Sequence, residues 1–397
     1  MAIASFAAGF GGLAACVSLL VALAASLSSK PSTVPLIDLS KNVSKRELLQ
    51  AATSLGVFRV AGHRVDIEAA LGASRAFFAL PEALKHTARS ESGAVGGFQR
   101  GYIPLAGEAG LRDFVELKEG LCYGAEPEDG LAAAAAATSN ELQANSSSAT
   151  GLSLLLSPNA WPDGHEQALG PEWAPTMLRH LDACESLTSR LLSTLSTAMG
   201  HEAAFLGELA TGGEPISLMR LFHYFPNSTA PEVAPGMPRT GSSPHTDWHL
   251  LTIVVQDTTG GLQVRRPGDA SWVDVPAEPK ELIIILGDYL AAISKGEFVS
   301  PVHRVNLPSA PTERFSFTYF RYPRYDAHVP ADAAKRAQAR ALRSARRRRR
   351  QMGVASAEAF NTLVRATDGV GLERLATTAF GDLLLDKWRG VAANKAS

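Results

Sequence analysis

A β-rich core of the jelly-roll or barrel type, framed by helices, is the architecture that this chain predicts. Three observations predict it. From Ile216 to Tyr322 short β-like segments follow one another, separated by Gly, Pro and Asp clusters. That rhythm belongs to antiparallel strands rather than to βαβ units. Ahead of them, Pro171 to Glu208 carries a long amphipathic helical pattern, with apolar Met177, Leu178, Leu181, Leu187, Leu191, Leu192 and Leu195. Behind them, after Tyr325, the chain turns basic and helical. Hydrophobic residues make up 46% of the 397 positions and charged residues 19%, which is a globular balance with a core to bury.

Val34 to Leu39 reads as a short strand. Ser44 is a candidate cap for a helix over Lys45 to Leu55, with Glu47 three residues on as its capping-box partner. Gly56 ends that helix, and Val57-Phe58-Arg59-Val60 forms a strand. Ile67 to Phe78 has helical spacing, and Pro81 opens a further helical turn. From about Ala125 to Ser157 an alanine run followed by Ser, Asn, Thr and Gly marks an inserted loop of low complexity. The strands expected next are Leu218 to Tyr224, Leu250 to Gln256, Leu262 to Arg265, Glu281 to Leu286 and Arg314 to Phe320. The tail carries the run Arg346 to Arg350, read as a solvated helical face, and a second helical pattern from Ser356 to Trp388.

The first 29 residues stand apart. No residue from Ala2 to Ser29 is charged, and Leu13 to Leu27 is almost wholly apolar. Since a membrane span needs about 20 apolar residues, residues 1–29 are expected to be a targeting or membrane-anchor segment. Organelle, secretory and membrane-anchored locations all follow from it; without it the chain is cytoplasmic. The absence of Lys or Arg at its start argues against a secretory signal, and Gly9, Gly11 and Gly12 weaken its front half as a helix. The net charge of -1 offers no global field for nucleic acid. Cys16, Cys122 and Cys184 are odd in number and far apart, so neither a disulfide framework nor a Cys-rich zinc site is expected.

Chemistry concentrates in His245-Thr246-Asp247, in His303 and in Arg314-Phe315-Ser316. Two imidazoles and one carboxylate on one face of a metal, with the other face open, are the donor set of a non-haem Fe(II) site. On an extended segment His245 and Asp247 share a face, as do Arg314 and Ser316. An Arg pointing into a barrel costs much desolvation unless an anion meets it. Its planar fork suits a carboxylate. His249 falls on the face of His245 and Asp247 if the strand runs straight. Competing ligand, pocket wall and solvent-facing residue are then its three possible places. His63 reads as closing a strand turn, His223 as a weak pocket candidate, and Cys122 and Cys184 as small buried hydrophobes.

With these residues on the page, the chain resembles the Fe(II)/2-oxoglutarate-dependent dioxygenases of the isopenicillin N synthase-like family. The likeness runs from about Val34 to Pro323. It is carried by Val34-Pro35-Leu36-Ile37-Asp38-Leu39, Gly56 to His63, Phe77-Phe78-Ala79-Leu80-Pro81 and Arg100-Gly101-Tyr102. It continues through His245-Thr246-Asp247, Leu251-Thr252, Gly261-Leu262-Gln263-Val264, Gly287-Asp288, Ser300 to Val305 and Arg314-Phe315-Ser316.

The resemblance implies a double-stranded β-helix (jelly-roll) core with N-terminal helices and a C-terminal helical extension. It implies an N-terminal dioxygenase region at 30–170, a catalytic core at 171–325 and an extension at 326–397. His245, Asp247 and His303 would hold Fe(II). Arg314 and Ser316 would bind the distal carboxylate of the co-substrate 2-oxoglutarate, and O2 would be the second co-substrate. A small organic molecule would be hydroxylated or otherwise oxidised, with release of succinate and CO2. Asp247 argues against halogenation, because related halogenases lack the carboxylate. His223-Tyr224-Phe225-Pro226 departs from the Asn-x-Tyr-Pro of plant relatives, and Tyr224 takes over the 2-oxoglutarate contact if the register slips by one. Two rivals remain at this point: an oxidase of the same fold that needs no 2-oxoglutarate, and a catalytically silent binding protein.

Overall fold

The computed structural model describes residues 33–41, 43–89, 100–107, 114–126, 158–211, 216–228, 236–267, 271–309, 311–352 and 374–387, with 155, 230 and 233 singly. The chain opens with strand β1 (Leu36–Asp38), helix α1 (Lys45–Ser54), β2 (Val57–Ala61) and helices α2 (Ile67–Phe78) and α3 (Glu82–Thr87). Three short strands follow: β3 (Gly101–Ile103), β4 (Val115–Glu116) and β5 (Lys118–Tyr123). Helices α4 (His165–Leu169), α5 (Trp173–Ala198) and α6 (Phe205–Thr211) lead into β6 (Ser217–Tyr224). Next come β7 (Arg239–Thr240), β8 (Ser242–His245), β9 (Leu251–Gln256), β10 (Leu262–Arg265), β11 (Trp272–Asp274) and β12 (Leu282–Leu286). Helix α7 (Asp288–Ile293), β13 (His303–Val305), β14 (Arg314–Arg321) and helices α8 (Ala331–Met352) and α9 (Arg374–Thr377) follow.

Two sheets form the jelly-roll core. The larger has the order β1-β2-β12-β9-β14-β6-β5-β3, the smaller β11-β10-β13-β8, and β4 pairs with β7 alone. Alternation along each strand sorts side chains between two cores, because successive residues point to opposite faces. In β12, Leu282, Ile284 and Leu286 join the core beneath the helices, while Ile283 and Ile285 join the second core that lies between the sheets. In β14, Phe317 and Tyr319 pack beneath the helices, while Arg314, Ser316, Thr318 and Phe320 line a cavity between the sheets. The long helix α5 covers the outer face with Met177, Leu181, Leu187, Leu191 and Leu195.

Several local expectations meet a different outcome. Ser44 does sit at the N-cap of α1, but its side chain makes no capping hydrogen bond. The pattern from Pro171 to Glu208 is two helices, α5 and α6, because Gly200 breaks it at φ +81°. Gly56 does end α1, at φ +69°, and a Cβ there would lie 2.0 Å from the Val299 carbonyl oxygen. Most of the insert at 125–157 and of the pattern at 356–388 lies outside the described residues, as does Cys16; helical residues 374–377 and 380–387 belong to the latter pattern.

The membrane expectation, and the location drawn from it, is corrected. No helix of the described residues is long and apolar enough to cross a membrane. The longest, α5, has 26 residues but carries Arg179, Asp182, Glu185 and Arg190, where a span needs about 20 consecutive apolar residues. Helix α8 is rich in Arg. Residues 1–29 themselves lie outside the described residues, so no anchor and no targeting is assigned through them.

Candidate metal and co-substrate site

The two strands that carry the histidines are direct neighbours. In the antiparallel pair β8–β13, His245 stands opposite His303, so both rings project from one patch of the smaller sheet, 4.2 Å apart between centroids. Each ring is aimed by its own backbone. His245 Nδ1 lies 2.7 Å from the Ser243 carbonyl oxygen, and His303 Nδ1 lies 3.2 Å from that of Pro301. A carbonyl only accepts, so both Nδ1 atoms carry a proton, and Nε2 is the nitrogen each ring turns toward the cavity. Those Nε2 atoms each stand 3.8 Å from Asp247 Oδ1. One donor atom from each of the three residues fits within 4.8 Å of the others. The expected shared face arises differently than foreseen: β8 stops at His245, and Asp247 enters from the loop beyond it.

That loop is braced. Asp288 donates its backbone N–H to the Asp247 carbonyl at 2.8 Å, and Thr246 Oγ1 donates to Asp288 Oδ2 at 3.0 Å. Thr252 donates its hydroxyl to Asp247 Oδ2 in a short bond. The spent hydroxyl then accepts from His249 Nε2 at 3.2 Å, and the cluster of possible ligand atoms does not include His249. His249 is 2% exposed and lines the cavity, so it neither faces solvent nor joins the trio. Burial pushes His303 down to about 4, which favours the neutral imidazole that a metal ligand needs. Burial pushes the Asp247 carboxyl up, but His303, His249, His245 and the Thr252 hydroxyl together hold it below the usual carboxylate range. Two imidazoles and a carboxylate converging from one side are a donor set that fits Fe(II).

The second half of the site lies on the larger sheet. Arg314, 1% exposed, donates through Nε to the Gly260 carbonyl at 2.5 Å, through Nη1 to Ser316 Oγ at 3.0 Å and through Nη2 to Gln256 Oε1 at 3.0 Å. Its guanidinium carbon stands 4.5 Å from the Tyr224 ring centre. All of these partners are neutral. Register explains the cluster: Arg314 pairs with Tyr224 across β14–β6, and Ser316 with Gln256 across β14–β9. Alternation in β6 puts Phe222 and Tyr224 on the cavity face, while the Phe225 ring lies tilted against His223, 4.4 Å apart between centroids. His223 is not among the cavity-lining residues; it binds Glu119 at 2.7 Å. His245, Asp247, His303, Arg314, Ser316 and Tyr224 all line one cavity of about 310 Å³.

The sequence reading missed Gln256, Glu116 and Lys118, all buried and near this site. The alternation Val115-Glu116-Leu117-Lys118 was the available signal for the last two: charges two apart share a face. Gln256 had no local signal, because its partner is on another strand.

Comparison with known proteins agrees with the geometry. Residues 215–323, which hold the trio and Arg314, match the 2OG-Fe(II) oxygenase superfamily. Residues 34–146 match the N-terminal region of non-haem dioxygenases in morphine synthesis. The chain belongs to the 2OG-Fe(II) oxygenase superfamily. This oxygenase uses Fe(II) and 2-oxoglutarate. It is 28% identical over 276 residues to the 2-oxoglutarate-dependent dioxygenase citB of Monascus ruber, covering 68% of this chain and 75% of that one. It is 28% identical over 274 residues to clavatol oxidase claD of Penicillium crustosum, covering 68% and 77%. Its fold is similar to that of a full-length Neurospora crassa protein in complex with alpha-KG, at TM-score 0.58 and 22% identity, covering 76% of this chain and 90% of that one. A 2OG-Fe(II) oxygenase family protein from Caulobacter crescentus has TM-score 0.57 and 23% identity, covering 75% and 90%.

Proposed function

We propose that this oxygenase oxidises a small organic molecule in the cavity between its sheets, with His245, Asp247 and His303 holding the iron. Arg314 and Ser316 receive the distal carboxylate of 2-oxoglutarate, and Tyr224 walls that end. The observation that supports this most directly is a buried guanidinium with only neutral described partners in the same cavity as the trio. A buried unpaired charge is costly, and a carboxylate removes the cost. Bound iron supplies the redox chemistry that couples decarboxylation of 2-oxoglutarate to oxidation of a substrate carbon. The protein's own part is placement. His303 stays neutral, Thr252 orients the Asp247 carboxylate, and Phe222, Phe320 and Trp248 offer the substrate an apolar wall. On this reading the chain divides into an N-terminal region at 30–170, a catalytic core at 171–325 and a helical extension at 326–397.

A metabolite screen with Fe(II), 2-oxoglutarate and O2, read as succinate release, tests the assignment. Release should vanish in His245→Ala and fall steeply in Arg314→Ala. Unchanged turnover in His245→Ala would remove the metal assignment.

A further inference from the structure

Of the three candidate ligands, His245 is the one that packing holds least. Its side chain is 44% exposed, against 8% for His303 and 6% for Asp247. It is also the last residue of its strand. Something other than burial has to keep its ring on target.

We infer that Glu116 is a positioning residue for the metal site, holding His245 through Ser243. Glu116 lies in β4, in the N-terminal half of the chain, and is 5% exposed. Its Oε1 accepts the backbone N–H of Ser243 at 2.7 Å and the Ser243 hydroxyl at 2.6 Å. Both are hydrogen bonds to a carboxylate, the stronger class. The carbonyl of the same Ser243 accepts from His245 Nδ1 at 2.7 Å. The line of contacts therefore runs from Glu116 to residue 243, from residue 243 to the ring, and from the ring's free Nε2 into the cavity. It fixes both the direction of the imidazole and the nitrogen that carries its proton.

The carboxylate is itself held. Its Oε2 takes Lys118 Nζ at 2.9 Å. The same ammonium reaches Ser242 Oγ at 3.4 Å and stands 4.5 Å from the Phe222 ring centre. Backbone pairing brings β4 into place, with Glu116 opposite Thr240 of β7, just ahead of β8. Two residues of β8 are thus clamped from outside the strand pair that carries the ligands. His303 uses the same device, an Nδ1 bond two residues back, but sits in the buried interior. The inference rests on the iron assignment proposed above, and it adds a residue from the other half of the chain to that site.

Glu119 provides the control. It is equally buried, 2% exposed, and is also bound to an ammonium, a hydroxyl and an imidazole, those of Lys85, Tyr102 and His223. None of these is one of the proposed ligands or lines the cavity. Anaerobic equilibrium dialysis of the full-length protein against Fe(II), with the ligand-field spectrum of the Co(II)-loaded protein, separates the two roles. Glu116→Ala should bind Fe(II) roughly 10- to 100-fold more weakly, the range for loss of a group that orients a metal ligand, and should change the Co(II) spectrum. Glu119→Gln should lower Tm and leave both metal readouts within about twofold of wild type. Ser243→Ala, which removes only the hydroxyl donor, should weaken Fe(II) by about threefold. It stands in if Glu116→Ala does not fold. Wild-type affinity and spectrum in Glu116→Ala, or in Ser243→Ala as its replacement, would overturn the inference. So would an equal loss in Glu119→Gln. A wild-type protein that takes up no Fe(II) would instead sink the iron assignment beneath it.

Discussion

Arg314 is the side chain whose environment says most about ligand chemistry. At 1% exposure it has spent three donors on a carbonyl, a hydroxyl and an amide, and its charge still faces neutral groups. Arg314→Ala should raise the KM for 2-oxoglutarate by about 100-fold or more, since losing one partner of a buried charge pair costs about 2–5 kcal/mol. Arg314→Lys should recover only part of this, because an ammonium lacks the fork; succinate kinetics over a 2-oxoglutarate series read both. His180 makes a different prediction. It is 5% exposed in α5, edge-on to Phe317 at 4.3 Å, and burial pushes it from 6.5 down to about 4. On acidification the unfolded chain takes up this proton first, so the stability tied to the neutral ring is complete above about pH 6.5 and lost towards pH 4. His180→Leu should therefore flatten the fall in Tm between pH 7 and pH 5. An acid limb as steep as wild type would count against it. At this scale the sequence was informative wherever partners are two apart on one strand, as Arg314 and Ser316 are. Gln256 and Thr252 escaped, because their bonds to Arg314 and Asp247 are made by folding.

Among the elements, the junction of β12 and α7 controls the metal loop. Gly287 donates its N–H to the Leu250 carbonyl at 2.9 Å, and Asp288 donates to Asp247. A Cβ on residue 287 would sit 1.9 Å from the His249 carbonyl oxygen, a clash with backbone that no side-chain rotation relieves. Gly287→Ala should cost about 3 kcal/mol and displace residues 247–249. Thermal melting with iron content by elemental analysis checks both effects, and a fully iron-loaded variant of wild-type Tm would refute the prediction. Periodicity found the elements that bury a face over several residues. Ile67 to Phe78 came out with its observed bounds, and β9, β10, β12 and β14 within a residue or so. It did not find β3, β4, β7 or β11, which have two or three residues each, nor the six-residue β5, which is buried along its whole length. Strands that short are held by the hydrogen bonds a neighbour offers, and a strand buried on both faces lacks the polar alternation that marks a half-exposed one.

For the molecule as a whole, the C-terminal extension is part of the core rather than an appendage. Ala327, Val329, Ala334, Phe380, Leu384 and Leu385 belong to the same hydrophobic cluster as Leu251 and Phe317. Phe380 packs edge-on against Tyr289 at 5.0 Å, and Lys387 stands 4.2 Å from the ring centre of Trp248, a wall of the cavity. A chain ending at Tyr325 should lose about 10 °C or more in Tm, because several buried side chains are removed at once. Calorimetry of the truncated protein decides this, and an unchanged Tm would show that the extension adds nothing to the stability of the core.

The chain by itself indicated the class of core, the candidate trio of His245, Asp247 and His303, and the helices with a long apolar stripe, through spacing within one segment or a donor set that few other chemistries use. The co-substrate roles proposed for Arg314 and Ser316 came instead from the resemblance to the family. The tertiary structure alone decided that Asp247 meets the two histidines from a loop and that His249 Nε2 sits against the Thr252 hydroxyl. It also decided that Tyr224 rather than Phe225 faces the cavity, and that a glutamate from the N-terminal half braces His245. Each of these depends on register between strands distant in sequence, and the pattern within a single segment carries no record of which neighbour it will meet.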